Sequence, residues 1–186
     1  MRIVNAKSRG YQKIEGAARA FNFDFRGKIV LDIGSSTGGF TEYALDHGAT
    51  KVIAVEKGTN QMTKPLRFDP RVELHEKTDI FDFAASPNII MADVSFISLT
   101  KILKYAKLNL SDAHPDFLVM LKPQFEANPD QLNRGVVKNE KLRREIIKNF
   151  EQWLKQNNFI IISKRDNELK GKTGNRERFY HLKLAK

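Results

Sequence analysis

Five short aliphatic or β-branched runs recur along the chain with helix-like stretches between them: KIVLDI (28–33), KVIAVE (51–56), VELH (72–75), NIIMADV (88–94) and DFLVML (116–121). Runs that are apolar at nearly every position, rather than at alternate ones, suit parallel strands buried on both faces. The stretches 40–47, 61–68 and 99–108 read as helices. A longer amphipathic helix is expected over 140–156, with Leu142, Ile146, Ile147, Phe150, Trp153 and Leu154 on one face. NFIIIS (158–163) and RFYHLKL (178–184) then follow with no helix between them, which predicts an antiparallel pair at one edge. A short helix over 11–21 precedes the first run. The expected fold is α/β: a doubly wound, mostly parallel sheet with an antiparallel edge strand.

At 186 residues a single domain spanning 1–186 is expected. A chain of this size buries roughly 70% of its unfolded surface and needs neither disulfide nor structural metal. It has no cysteine, which excludes Cys-type zinc sites and any reaction that begins with thiolate attack. His47, His75, His114 and His181 are too scattered to suggest a metal site. With no long apolar window and no apolar stretch after the first positive charges, a soluble, unexported, cytoplasmic protein is expected.

The net charge of +10 is unevenly spread: residues 1–30 carry 7 basic and 2 acidic side chains, 31–133 carry 10 and 14, and 134–186 carry 15 and 6. If the fold brings the two basic ends together, they form a surface suited to a polyanion. Charge alone also fits a merely soluble surface.

In a doubly wound sheet the ligand sits at the carboxyl ends of the strands. The loop after the first run is DIGSSTGGF (32–40). Gly34, Gly38 and Gly39 permit positive φ and close approach to a ligand, Ser35, Ser36 and Thr37 offer hydroxyls, and the chain enters a helix at Phe40. The spacing is GxxxGG, with Ser36 standing where a dinucleotide fingerprint has the glycine that admits pyrophosphate. Glu56 closes the second run, placed to accept hydrogen bonds from ribose hydroxyls, and Lys57 follows as a further candidate contact. Asp32, the glycine loop and this acid together suit S-adenosylmethionine, whose cationic end carries no phosphate. A general nucleotide loop is the alternative. Asp79 is placed equally well to accept from an adenine amino group or to cap a short helix. Asp93 and Lys122 follow apolar runs at the ends of central strands, where a charge is costly to bury without a partner or a purpose.

DIGSSTGGFTEYAL, DVSFISL (93–99), KPQFE (122–126), RGVVKN (134–139) and GNRE (174–177), with SRGYQKIEGA (8–17) before them, resemble the TlyA family over nearly the whole chain. That family is known both as haemolysin A and as rRNA 2'-O-methyltransferase. The resemblance implies a Rossmann-like methyltransferase fold of the FtsJ type, S-adenosylmethionine as cofactor, and methyl transfer to a ribose 2'-hydroxyl of ribosomal RNA. The implied partners are ribosomal RNA or ribosomal subunits, with no membrane. It also implies a Lys-Asp-Lys-Glu tetrad, carried here by Lys13, Asp93, Lys122 and Glu177. A ribose hydroxyl is a very weak acid, so transfer needs a base or a cation beside the attacking oxygen. Lys122 fits either role: as a neutral base helped by a second ammonium from Lys13, or as a cation facing the nascent alkoxide. Asp93 and Glu177 would orient the pair. Family members usually begin with a small RNA-binding domain, so 1–9 is expected to be the remnant of an interdomain linker.

Rival methyl-transfer chemistries fit less well. Asp93-Val94-Ser95-Phe96 lacks the prolines of a base-amine methyltransferase, and cytosine C5 methylation normally needs a cysteine. Two readings of other classes remain: a haemolysin-type membrane-active protein, and a non-catalytic RNA-binding or ribosome-assembly module on a methyltransferase fold.

Overall fold

The computed structural model describes residues 7–110, 114–169, 171 and 174–185. The chain runs α1 (Arg9–Phe21), β1 (Ile29–Ile33), α2 (Gly39–Asp46), β2 (Lys51–Val55), α3 (Lys64–Arg67), β3 (Val72–His75), β4 (Ile89–Ala92), α4 (Leu99–Asn109), β5 (Asp116–Leu121), α5 (Glu140–Gln156), β6 (Phe159–Asp166) and β7 (Arg178–Leu184). The seven strands form one sheet in the order β3-β2-β1-β4-β5-β7-β6. β1 to β5 pair in parallel, and β7 runs against both β5 and β6. The antiparallel pair expected at the edge is present, with β7 on its inner side and β6 outermost.

Neighbouring residues of the central strands point to opposite faces, which is why their sequences are apolar throughout. On one face Leu31, Ile90, Phe117 and Val119 pack with Ile102 and Leu103 of α4 and Phe150 and Leu154 of α5. On the other, Val30, Met91, Leu118 and Met120 pack with Ile14 of α1 and Phe40 and Tyr43 of α2. The last two strands enclose both layers, with Tyr180 and Leu182 on the first face and Phe179 on the second.

One local reading needs correction. The helix expected over 61–68 is one turn, Lys64–Arg67, because Thr63 is extended and Pro65 sits in the opening turn, so the helix cannot extend back toward Gln61. The linker remnant expected over 1–9 lies in part outside the described residues. Of its described part, Lys7 bridges Glu42 and Asp46 of α2 at 2.7 Å each, Ser8 caps α1 by accepting from the Tyr11 amide at 3.2 Å, and Arg9 is already helical. On α5, Arg143 is buried beside the expected apolar face, its guanidinium donating to Asp166 (2.7 Å) and to the Arg176 carbonyl (3.2 Å). Among the described residues no helix is long and apolar enough to cross a membrane.

The loops that follow β4 and β5 are joined by one carboxylate. Glu126 Oε1 accepts from the Leu99 amide at 2.7 Å, and Glu126 Oε2 accepts from Ser98 Oγ at 2.6 Å, so the acid of KPQFE caps the helix that DVSFISL enters. Burial pushes the Glu126 carboxyl up, and these two donors oppose the shift. We expect Glu126→Ala to cost about 1–3 kcal/mol through the two orphaned donors and the lost charge at a helix N-terminus. A denaturant midpoint that falls with an unchanged slope checks this, and an unchanged midpoint would contradict it.

Candidate active site

The carboxyl ends of β1, β2, β4 and β5 open into two cavities that meet. The larger, about 1080 Å³, is lined by Glu56, Lys57, Asp79, Ile80, Val94 and Ile97 among others. The smaller, about 560 Å³, is lined by Arg9, Lys13, Lys122, Gln124 and Glu177 among others. Gly34, Ser36, Asp93, Ser95, Phe96 and Phe125 border both. Gly34 forms the floor of this junction with φ +79, and a Cβ there would stand 3.3 Å from the Asp93 carbonyl oxygen.

Four charged residues from distant segments meet in the smaller cavity as two ion pairs. Lys13 Nζ lies 2.6 Å from Glu177 Oε2, and both side chains are buried. Lys122 Nζ lies 2.7 Å from Asp93 Oδ1 and donates to Ser95 Oγ at 2.9 Å. Each lysine therefore has a carboxylate of its own. Gly171 makes room for one of them, since a Cβ there would be 2.9 Å from Glu177 Oε1.

The residues of the glycine loop divide by task. Ser35 is buried with its hydroxyl unpartnered against the smaller cavity, and Ser36 and Thr37 are exposed on the cavity wall. Gly38 has φ +92, and a side chain there would collide with Leu66. Gly39 is helical, and a Cβ on it would come within 2.6 Å of Ser8 Oγ and 2.7 Å of the Tyr11 amide, so it lets α1 and α2 close on each other. Phe40 is a core residue stacked on Phe179 at 6.0 Å as well as a lining residue. Thus Gly34 alone of the three glycines has the expected close approach to both cavities. Glu56 lines the larger cavity while fastening the loop, its oxygens accepting from the Ser36 amide (2.9 Å) and the Gly58 amide (2.7 Å). Lys57 and Asp79 pair at 2.9 Å, and Asp79 also caps the short turn after it by accepting from the Phe81 amide at 3.2 Å.

A family model for FtsJ-like methyltransferases matches residues 6–184. The chain is 36% identical over 182 residues to Hemolysin A of Brachyspira hyodysenteriae, covering 94% of this chain and 75% of that one. It is 35% identical over 178 residues to the 23S rRNA (cytidine-2'-O)-methyltransferase TlyA of Campylobacter jejuni, covering 94% and 69%. The chain is a TlyA-type member of the FtsJ-like methyltransferase family. A solved structure from Streptococcus thermophilus, provisionally named a hemolysin, superimposes with a TM-score of 0.91 at 33% identity, covering 99% of this chain and 69% of that one.

Within this FtsJ-like site, three residues were not singled out from the sequence. Phe96 stands at the junction of the cavities, 92% exposed at φ +64 and 5.3 Å from the Phe125 ring. A bulky residue in the left-handed region is a conformational outlier and marks a site candidate. Gln124 lines the smaller cavity and has a buried, unpartnered carboxamide oxygen. Asn175 is buried in the loop before Glu177. An exposed ring in a loop or an orphan acceptor is a property of the folded chain, and only the motifs DVSFISL, KPQFE and GNRE pointed near them.

Asp32, expected among the cofactor contacts, borders neither cavity. It is fully buried, its Oδ2 accepting from Thr41 Oγ1 at 2.6 Å and its Oδ1 without a partner. Burial pushes its carboxyl up to about 7, opposed by the Thr41 bond and reinforced by the nearby Asp93 charge. A folded state that holds a proton the unfolded chain has released loses stability as pH rises from the unfolded value through about 7. Above that pH the charged form costs on the order of a few kcal/mol. Asp32→Asn should therefore raise the melting temperature at pH 8 and leave it nearly unchanged at pH 4. Equal gains at both values would refute the titration.

Proposed function

We propose that this methyltransferase uses S-adenosylmethionine to methylate a ribose 2'-hydroxyl of ribosomal RNA. The observation that carries the reading is the meeting of the two ion pairs, Lys13–Glu177 and Lys122–Asp93, in a cavity that opens at Asp93 onto a second, carboxylate-lined one.

The larger cavity fits the cofactor on its donor set. Glu56 and Asp79 offer acceptors for ribose hydroxyls and an adenine amine, Ile80 and Val94 offer apolar walls, and Gly34 leaves room for close approach. A pyrophosphate would face Glu56 and Asp93, which disfavours a dinucleotide. The buried Ser35 hydroxyl has no protein partner and borders the smaller cavity next to Gly34. Bound in the larger cavity, S-adenosylmethionine supplies an electrophilic methyl group on a sulfonium.

In this reading the RNA ribose enters the smaller cavity. Asp93 and Ser95 fix Lys122 Nζ, and as the cation of an ion pair that nitrogen has no lone pair for a proton. Lys122 would thus stabilise the negative charge that appears on the 2'-oxygen as the hydroxyl proton leaves to water, a charge that is consumed as the carbon–oxygen bond forms and the carbon–sulfur bond breaks. Lys13, held by Glu177, adds a second positive charge facing the same space. The exposed Phe96 ring offers a stacking face for a base turned out of its helix.

A membrane-active role finds less support, because Phe150 and Leu154 on the apolar face of α5 are buried against the sheet.

Isothermal titration should show binding of S-adenosylmethionine and S-adenosylhomocysteine and none of NAD; the reverse pattern would overturn the cofactor assignment. With labelled cofactor and isolated ribosomal subunits, the product should resist alkaline cleavage at the modified linkage, as a 2'-O-methyl group requires. Lys122→Ala should lower kcat about 10²–10⁴-fold with cofactor affinity intact. Substantial transfer by that variant would remove Lys122 from the mechanism.

A further inference from the structure

The RGVVKN motif contributes none of the four charged residues, yet it forms a strained turn on the smaller cavity. Asn133 and Val136 exchange backbone hydrogen bonds, each 3.0 Å, around the two central residues Arg134 and Gly135. Both central residues have positive φ, +49 and +77. Turns of this kind favour Asn-Gly or Gly-Gly, because a side chain in the left-handed region strains the backbone. An arginine in the first central position needs another reason.

The turn is held from within. Asn175, 1% exposed, accepts from the Val137 amide through Oδ1 and donates from Nδ2 to the Gly135 carbonyl, both at 3.0 Å. It thereby fixes the turn to the loop that carries Glu177, and Gly135 borders the cavity. Arg134 is exposed, and among the described residues it has no hydrogen-bond or ion-pair partner. The stapled turn thus carries an exposed guanidinium on the residue next to Gly135, which belongs with Arg9 to the lining of the proposed acceptor cavity.

We propose that Arg134 is a phosphate clamp, its planar fork binding a backbone phosphate of the RNA strand beside the nucleotide that enters the cavity. The proposal rests on the RNA reading of that cavity. Phosphate contacts set the register of a nucleic acid rather than its sequence, so the clamp would place the ribose and leave base choice to other groups.

The test compares the full chain with Arg134→Gly and Arg134→Lys, using a 20-nucleotide single-stranded RNA and ribosomal subunits as probes. Arg134→Gly removes the guanidinium and relieves the strained φ, so its melting temperature should equal or exceed the parent's, with cofactor affinity unchanged. Its RNA affinity should fall roughly 3- to 10-fold near 0.1 M salt, and the slope of log affinity against log salt should shrink by about 0.7–1. Arg134→Lys should recover most of the salt slope but less of the affinity. A parent chain that methylates RNA, beside an Arg134→Gly variant with the same affinity and slope, overturns the clamp alone. A parent chain that neither binds nor methylates RNA overturns both the clamp and the function it rests on. Competition by millimolar inorganic phosphate that depends on Arg134, without any change in RNA affinity in the variant, would show a free-phosphate site and also overturns the clamp.

Discussion

The buried ion pair between Lys13 and Glu177 joins the first helix to the start of the last strand at 2.6 Å. Removing either partner of such a pair leaves an uncompensated charge in a low-dielectric setting, at a cost of about 3–5 kcal/mol. The fold meets this constraint by packing α1 against α2 and against β6, where Arg165 donates to the Gly16 carbonyl at 3.0 Å. Small residues allow the approach: Gly39 leaves room for Ser8 and Tyr11, and Gly171 for the carboxylate itself. Hydrophobic replacement of a buried ion pair is often neutral or stabilising, so a pair placed against a cavity points to chemistry rather than to stability.

The second pair depends on the sheet. β4 and β5 are parallel neighbours, so Asp93 and Lys122 leave them side by side at their carboxyl ends. Glu126 then ties the two following loops together by capping α4, and the exposed Phe96 is carried on the segment so tied. The alternation of buried strands fixes where the loops start, and a few polar side chains fix how they run.

Elements buried on both faces were legible in the sequence because every residue in them meets the same apolar environment. Of these β5 appears with the bounds its pattern predicts, and so do the half-buried β3, the amphipathic α5 and the edge-pair strand β7. Asp93 and Lys122 were legible for the converse reason, as charges set against apolar runs. Lys13 and Glu177 were not legible from local pattern: a lysine on an amphipathic helix and an acid among arginines both read as surface, and only the family resemblance marked them. Nor does the sequence separate glycines that pack helices from those that admit ligands, since Gly39 and Gly34 differ only in what the folded chain brings opposite them. The helix expected over 61–68 was overread because Gln61 serves the glycine loop instead, its Oε1 accepting from Ser36 Oγ at 3.1 Å.

The uneven charge of the sequence acquires a location in the fold. Glu56, Asp79 and Asp93, which line the larger cavity, come from the acidic middle of the chain, and Arg9, Lys13 and Arg134 come from its basic ends. In the proposed reading the two ligands have opposite charge, a sulfonium on one side and a polyanion on the other. In that reading Glu56 and Asp79 disfavour a phosphate in the larger cavity, and the exposed Arg134 beside the smaller one attracts it. Asp93 belongs to both cavities and holds Lys122, which makes it the point where the two fields meet. In that reading a methyl carbon passes from a sulfonium to an oxygen that has lost its proton, so carboxylates suit one side of the transfer and the ammonium groups of Lys13 and Lys122 the other.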